Sequence, residues 1–138
     1  MNKRDVFRIV DANLNRLREA LRVCEDVTRF SIEDEDSTAS LKKIRHGIMS
    51  AISASKDFKY SSLLAARDSA GDVGKRPISR EMKRKDTRSI FMANIQRAKE
   101  SARVLEEFSK IIDEKTALRF KRIRFQIYDT EKKICERL

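Results

Sequence analysis

The polar residues best suited to bind a charged ligand occur twice in this sequence, 81 positions apart. Asn13 and Asn94 stand within apolar helical patterns, and Arg16 and Arg97 follow them by three residues. That spacing places each guanidinium one helical turn from its amide, with the asparagine near the middle of the apolar face and the arginine at its border. A guanidinium carries a planar set of donors that suits phosphate or carboxylate. The pattern predicts a polar cavity that accepts anions.

The duplicated polar residues also allow structural interpretations. A buried asparagine pair can fix helix register, as it does in coiled coils, because a buried amide must be hydrogen-bonded. Glu19 and Glu100 could bind substrate, or, together with Glu25 and Glu106, they could form i,i+3 pairs with Arg22 and Arg103 on a solvated helix surface. Both interpretations stay open at this point.

A second set of candidate ligands lies in the longest irregular segment. Arg67 could clamp a phosphate, and Asp68 and Asp72 could hold Mg²⁺. Gly71 and Gly74 could let backbone N–H groups approach an anion. The segment is not a Walker loop, because it lacks the terminal Lys-Ser/Thr. A turn-rich connector is the alternative.

The one histidine lies in the predicted second helix. His46 follows Arg45, and the repeat places Phe125 at the equivalent position. We treat both residues as candidate substrate ligands, with a packed side chain as the alternative for His46. The sequence shows no Ser/Cys–His constellation, zinc motif or dinucleotide fingerprint.

Four helices must position these side chains. Apolar periodicity predicts helices over 5–30, 37–58 and 87–112, and a fourth from Asp113 to the C-terminus. One proline and three glycines leave few helix breakers, and residues 59–86 form the loop that contains most of them. We predict Asp36 or Ser37 as the cap of the second helix and Asp113 as the cap of the fourth. A short helical turn is also predicted at 79–85 in the loop. The apolar series of the fourth helix is Leu118, Phe120, Ile123, Ile127 and Ile134.

The helices form two repeated pairs. Seven of the twenty residues at 11–30 are identical to those at 92–111, and a shift of 79 aligns 41–46 with 120–125. We therefore predict one all-α domain over 1–138, a four-helix bundle. Its first repeat unit spans about 5–58, its central loop 59–86 and its second repeat unit 87–138.

Charge and composition restrict the partners. The net charge of +10 suggests an anionic partner, although acidic residues are interleaved with the basic ones, which disfavours nucleic acid. No stretch is apolar enough for a membrane span or a secretory signal. We therefore expect no membrane partner. Cys24 and Cys135 lack metal-ligand spacing, so we expect a reducing, cytoplasmic location.

Several motifs resemble one known family across nearly the whole chain. It is the monofunctional hydroxymethylpyrimidine phosphate kinase family, a helical domain usually fused N-terminally to bacterial thiamin phosphate synthase. Ala20 stands where the family pattern has glycine. The similar segments are the Asp-Ala-Asn-Leu-Asn-Arg motif at 11–16 with Glu19, Arg22, Glu25, Asp26, Arg29 and Phe30; Arg45-His46; 66–68 with 71–74; and Ala93-Asn94 with Arg97, Glu100, Arg103, Glu106 and Glu107.

The resemblance implies transfer of a phosphoryl group from ATP to hydroxymethylpyrimidine phosphate in thiamin biosynthesis. It also implies, as partners, a second copy of the chain or a thiamin phosphate synthase as a separate protein. We expect Asn13 and Asn94 to orient the substrate, and Arg16, Arg97 and Arg67 to clamp phosphates. A basic nucleic-acid-binding bundle and a catalytically silent phosphate-binding module are the alternatives.

Overall fold

Four long apolar stripes, one on each predicted helix, account for the architecture. The computed structural model describes residues 2–78 and 82–138, and within these residues it contains five helices and no strand. The prediction of an all-α four-helix bundle is confirmed, with one short helix added. The helices are α1 (Lys3–Phe30), α2 (Glu35–Ser53), α3 (Tyr60–Ala66), α4 (Thr87–Ile112) and α5 (Glu114–Cys135).

The long helices pack as a closed ring around one apolar core. α1 packs against α4, α2 lies against α1, α5 lies against α4, and α2 contacts α5. The apolar faces of α1 and α4 are buried in this core. Ser109 is fully buried, whereas its neighbour Phe108 is only partly so. None of the described helices is long and apolar enough to cross a bilayer. The pair α1–α4 therefore forms the centre of the bundle.

The start and end of α2 differ from the prediction. Its N-cap is Asp34, whose side chain accepts from the backbone N–H of Ser37, so Asp36 and Ser37 are not the cap. The acidic residues that follow lie in the first turn, where they suit the positive end of the helix dipole. The helix ends at Ser53, five residues earlier than predicted, because the chain turns so that Phe58 can pack against Phe7.

The segment predicted as an irregular loop contains α3. Leu63 and Ala66 of this seven-residue helix are buried, and the helix packs against α1. Two inward residues are too few to show a helical period, so the sequence pattern could not reveal it. The helical turn predicted at 79–85 begins in residues outside those described.

The register of α5 is largely as predicted. Asp113 caps the helix, and Phe120, Ile123, Ile127 and Ile134 are buried. Leu118 is wrongly assigned to the core, because it is 54% exposed and Ala117 is buried instead. At 100° per residue, position 118 lies roughly opposite the stripe of 120, 123 and 127.

The caps of α2 and α5 show that the duplication extends into local structure. Asp34 contacts the hydroxyl of Ser37, and Asp113 accepts from the hydroxyl of Thr116 at 2.6 Å. Each pair is related by the same shift of 79 residues. In both caps the hydroxyl hydrogen bond is the main cause that lowers the pKa of the carboxyl.

Candidate functional site

Equivalent residues of the two repeat units line one cleft between α1 and α4. This shared cleft has a volume of about 730 Å³, which lies in the range of small-molecule sites. Pro77 and Met82, from the segment before α4, complete its wall. The five residue pairs, each 81 positions apart, are Asn13 and Asn94, Arg16 and Arg97, Glu19 and Glu100, Ala20 and Ser101, and Val23 and Val104.

The asparagines have equivalent hydrogen bonds in the two halves. Nδ2 of Asn13 donates to the carbonyl of Ile9 at 2.8 Å, and Nδ2 of Asn94 donates to Ile90 at 2.9 Å. The amides do not bond to each other, so the structure does not show the register-fixing pair considered from the sequence. Each bond to the helix backbone fixes the amide orientation at the wall of the cleft.

The charged residues of the cleft remain accessible. Arg16 and Arg97 are exposed, and within residues 2–78 and 82–138 neither makes a hydrogen bond or ion pair. Glu19 is equally unpaired there, while Glu100 accepts from Gln96 at 3.2 Å. The two guanidiniums can therefore bind an incoming anion without first breaking a protein contact.

Arg45 has a structural partner that the sequence did not reveal. Its Nε donates to Glu25 at 2.9 Å, and Arg124 donates to Glu106 in the second unit at 2.8 Å. The two glutamates are 5% and 4% exposed. Arg22 and Arg103 add i,i+3 contacts to the same carboxylates, at 3.8 and 3.4 Å, rather than to Glu19 and Glu100. These duplicated pairs join the two helices of each unit.

Arg67 lies outside the shared cleft. Its Nε and Nη2 donate to the two carboxylate oxygens of Asp11 at 2.7 and 2.9 Å, and Asp11 is 4% exposed. This contact raises the pKa of the Arg67 guanidinium. Arg67, Asp68 and Asp72 line a separate cavity of about 150 Å³ on α1. The structure does not bring Arg67 together with Arg16 and Arg97.

The backbone N–H groups of the two loop glycines donate to aspartates of the same loop. Asp68 accepts from the N–H of Gly71 at 2.9 Å, and Asp72 accepts from that of Gly74 at 2.8 Å. A Cβ on Gly71 would collide with the Asp68 carboxylate, so the Asp68 side chain would have to move. Within the described ranges no group of three or more His, Cys, Asp or Glu residues could hold a metal ion. The two aspartates alone could contribute ligands to Mg²⁺.

The remaining candidates contribute little to the cleft. His46 is exposed on α2, contrary to the packed interpretation, and its imidazole makes no hydrogen bond to the described residues. Its backbone carbonyl accepts from the hydroxyl of Ser50 at 3.4 Å. Burial raises the pKa of the Cys24 thiol to about 12, which removes it as a nucleophile at neutral pH. Asp11 was missed by sequence reasoning because the repeat pairs it with Met92.

Comparison with known proteins gives a consistent set of relatives. The ThiD2 family model matches residues 8–133. The thiamine-phosphate synthase of Synechocystis sp. is 35% identical over 127 residues, which is 91% of this chain and 35% of that protein. That of Rhodopirellula baltica is 38% identical over 128 residues, 92% of this chain and 33% of that protein. The chain thus spans about a third of the curated relatives it matches, and no solved structure matches it significantly.

Proposed function

The chain belongs to the ThiD2 family, and from this we propose that it transfers the γ-phosphoryl group of ATP to hydroxymethylpyrimidine phosphate in thiamin biosynthesis. The observation that carries the proposal is the shared cleft with two guanidiniums, those of Arg16 and Arg97, that have no partner among the described residues. The cleft is large enough for a phosphorylated heterocycle and offers amide groups beside each cation. It suits a reaction between two phosphate-bearing ligands.

The chemistry requires little from the protein beyond positioning and charge. The acceptor phosphate has a second pKa near 6, so about neutral pH its oxygen is largely ionised and needs no general base. That oxygen attacks the γ-phosphorus of ATP, the bond from the γ-phosphorus to the β,γ-bridging oxygen breaks, and ADP leaves. The products are ADP and the pyrimidine diphosphate. Arg16 and Arg97 would stabilise the negative charge on the equatorial oxygens during transfer.

The other residues of the cleft would orient the acceptor. Asn13 and Asn94 are held by their bonds to the helix backbone, so their amide groups can recognise the pyrimidine edge or its phosphate. Glu19 and Glu100 would accept from donor groups of the heterocycle. Arg45 and His46 lie outside this cleft, and Arg45 is bound to Glu25, so we assign it a structural role.

Asp68 and Asp72 fit a magnesium ion that arrives with a nucleotide. Mg²⁺ commonly takes one or two protein carboxylates and completes its shell with water and substrate phosphates. Each aspartate uses one oxygen for a glycine N–H, which leaves the other oxygen for a metal. When bound, the ion would neutralise phosphate charge. The Arg67–Asp11 contact holds this loop against α1.

The test is incubation of the purified chain with hydroxymethylpyrimidine phosphate, ATP and Mg²⁺, with ³¹P NMR to detect the diphosphate. We expect product from the wild type and a loss of about 100-fold or more in the double variant Arg16→Ala/Arg97→Ala. Arg122→Ala, which removes an exposed arginine of α5 outside the cleft, is the matched control and should retain activity. Binding of the phosphate substrate without any turnover would refute the kinase and support a silent binding module.

A further inference from the structure

An arginine cluster lies on the outer face of the first repeat unit, and the proposed function gives it no role so far. The cluster consists of Arg18, Arg22 and Arg45, with Asn15 beside them. Together with Glu19 these residues line a cavity of about 470 Å³. Arg45 and Arg22 share one carboxylate, that of Glu25, so the cavity has more cationic than anionic groups and suits an anionic ligand.

Arg18 is the unmatched charge of the cluster. Arg45 is bound to Glu25 at 2.9 Å, and Arg22 lies 3.8 Å from the same carboxylate. Arg18, in contrast, has a buried Nε with no partner, and its guanidinium makes no ion pair within the described ranges. A buried guanidinium nitrogen without an acceptor is costly, so nothing inside the protein compensates the charge of Arg18. Because Nε has almost no accessible surface, an anion in the cavity would contact the terminal nitrogens of Arg18.

The second repeat unit shows how the same position looks when it is purely structural. Lys99 is equivalent to Arg18, and its Nζ lies 3.0 Å from the carboxylate of Glu131 on α5. The α2 residue in the register of Glu131 is Ile52, which is buried and apolar. The first unit has therefore kept the cation without the internal acid. An external anion can take the place of that acid.

The position of the cluster relates it to both other cavities. Asn15 also lines the cavity of Asp68 and Asp72, and Glu19 also lines the shared cleft. Arg18 and Arg22 are one turn apart, about 6 Å along the helix axis, so they can contact neighbouring phosphates of one chain. A linear polyanion bound here would reach from the loop aspartates towards Arg16.

We propose that the arginine cluster binds the polyphosphate chain of the donor nucleotide. The inference rests on the proposed function and adds to it a site for the donor, separate from the shared cleft that takes the acceptor. The α- and β-phosphates lie against Arg18 and Arg22, and the γ-phosphoryl group points past Glu19 into the cleft. Because Arg18 lacks the acid that pairs with Lys99 in the second unit, only the first unit would bind the donor polyphosphate.

The test is calorimetric titration of the full chain with inorganic triphosphate, ATP and AMP. Arg18→Gln should weaken the binding of triphosphate and ATP at least tenfold, about 1.4 kcal/mol. Lys99→Gln removes the same charge from the equivalent position of the other unit and should change either affinity less than twofold. AMP, which lacks the polyphosphate, should bind weakly to all three proteins. Triphosphate loss in Arg18→Gln together with ATP loss supports the site.

Two outcomes overturn the inference. Equal losses in Arg18→Gln and Lys99→Gln would show only the effect of overall charge, and unchanged triphosphate binding in Arg18→Gln would exclude the cluster. Thermal melting shows whether each variant is folded. If Arg18→Gln does not fold, the same comparison is made with Arg22→Gln and its matched control Arg103→Gln. The kinase assay separates the two proposals. Product from the wild type, together with intact triphosphate binding in Arg18→Gln, refutes only the donor site. Selective loss of triphosphate binding in Arg18→Gln, with no product from the wild type, refutes only the kinase.

Discussion

The two repeat units share their internal contacts and differ in their outer ones. In both units an aspartate caps the second helix and a buried glutamate joins the two helices through an arginine. On the outside, only α1 of the first unit carries a docked helix, α3, among the described contacts. The lysine–glutamate pair of the second unit also has no counterpart at Arg18. The comparison teaches that duplication preserved the frame, while the polar chemistry diverged on its surface.

The shared cleft combines both behaviours. Its five residue pairs are equivalent, yet Ala20 faces Ser101 and Asn13 is buried where Asn94 is only partly so. An asymmetric reaction needs such differences, because acceptor and donor are different molecules. The halves should therefore be equal in stability tests and unequal in kinetic ones.

The largest expected effect tests the equality of the frame. Glu25→Gln and Glu106→Gln each remove the charge that compensates a mostly buried arginine, so each should lower the free energy of unfolding by about 3 kcal/mol. Urea denaturation measures both. Glu107→Gln, beside Glu106 but in surface ion pairs, is the control and should change stability far less. A gap of more than about 1 kcal/mol between the two variants would contradict equivalence, because matching buried ion pairs should cost similar free energies to break.

The next effect separates the two halves kinetically. Arg16→Ala and Arg97→Ala should each lower kcat/KM about 100-fold, since each removes one charged donor from the transition state. Because both side chains are exposed and unpaired, the melting temperature should stay nearly constant. Steady-state kinetics with each substrate varied in turn should show KM for the acceptor rising more in one variant than in the other. Identical changes in both would mean that the cleft does not distinguish its ligands.

The smallest effect concerns the duplicated caps. Asp113→Ala should cost about 1 kcal/mol of stability at neutral pH, as expected for loss of an N-cap. Hydrogen bonds from Thr116 and Ser55 lower the pKa of Asp113 in the folded protein, so its contribution is present above the unfolded pKa and is lost as the pH falls through the folded one. Urea midpoints measured from neutral to acidic pH should fall less steeply in Asp113→Ala. If the urea midpoint depended on pH equally steeply in both proteins, Asp113 would not contribute to the loss of stability in acid. The pKa of Asp34 is also lowered, so its carboxylate should contribute in the same direction.

Much of the fold could be predicted because long helices carry a repeated signal. The bounds of α4 are those predicted, and α1 begins only two residues early because Asn2 accepts from the N–H of Asp5. The errors lie where tertiary contacts decide. α3 needs the surface of α1 to bury its two inward residues, and Leu118 continues an apolar run in sequence but not on the helix wheel.

The candidate site could be predicted only where it is duplicated. The 81-residue shift pointed to three of the five pairs that line the shared cleft, those of Asn13, Arg16 and Glu19, because these polar residues are identical in the two halves. The repeat could not reveal the role of Asp11, because its equivalent, Met92, is not polar. It could not reveal the unpartnered Nε of Arg18 either, because the equivalent Lys99 is paired with a glutamate. Contacts between α1 and a loop some 56 residues away depend on how the chain folds back, which periodicity does not encode.

The α1–α4 interface has a consequence for how such a chain could arise. Equivalent residues of the two hairpins meet there, so each hairpin presents a surface that nearly fits a copy of itself. Such an isologous contact is how identical protein subunits usually associate. A single helical hairpin that assembles as a homodimer would already contain the cleft, and fusion of two copies would then free each to change alone.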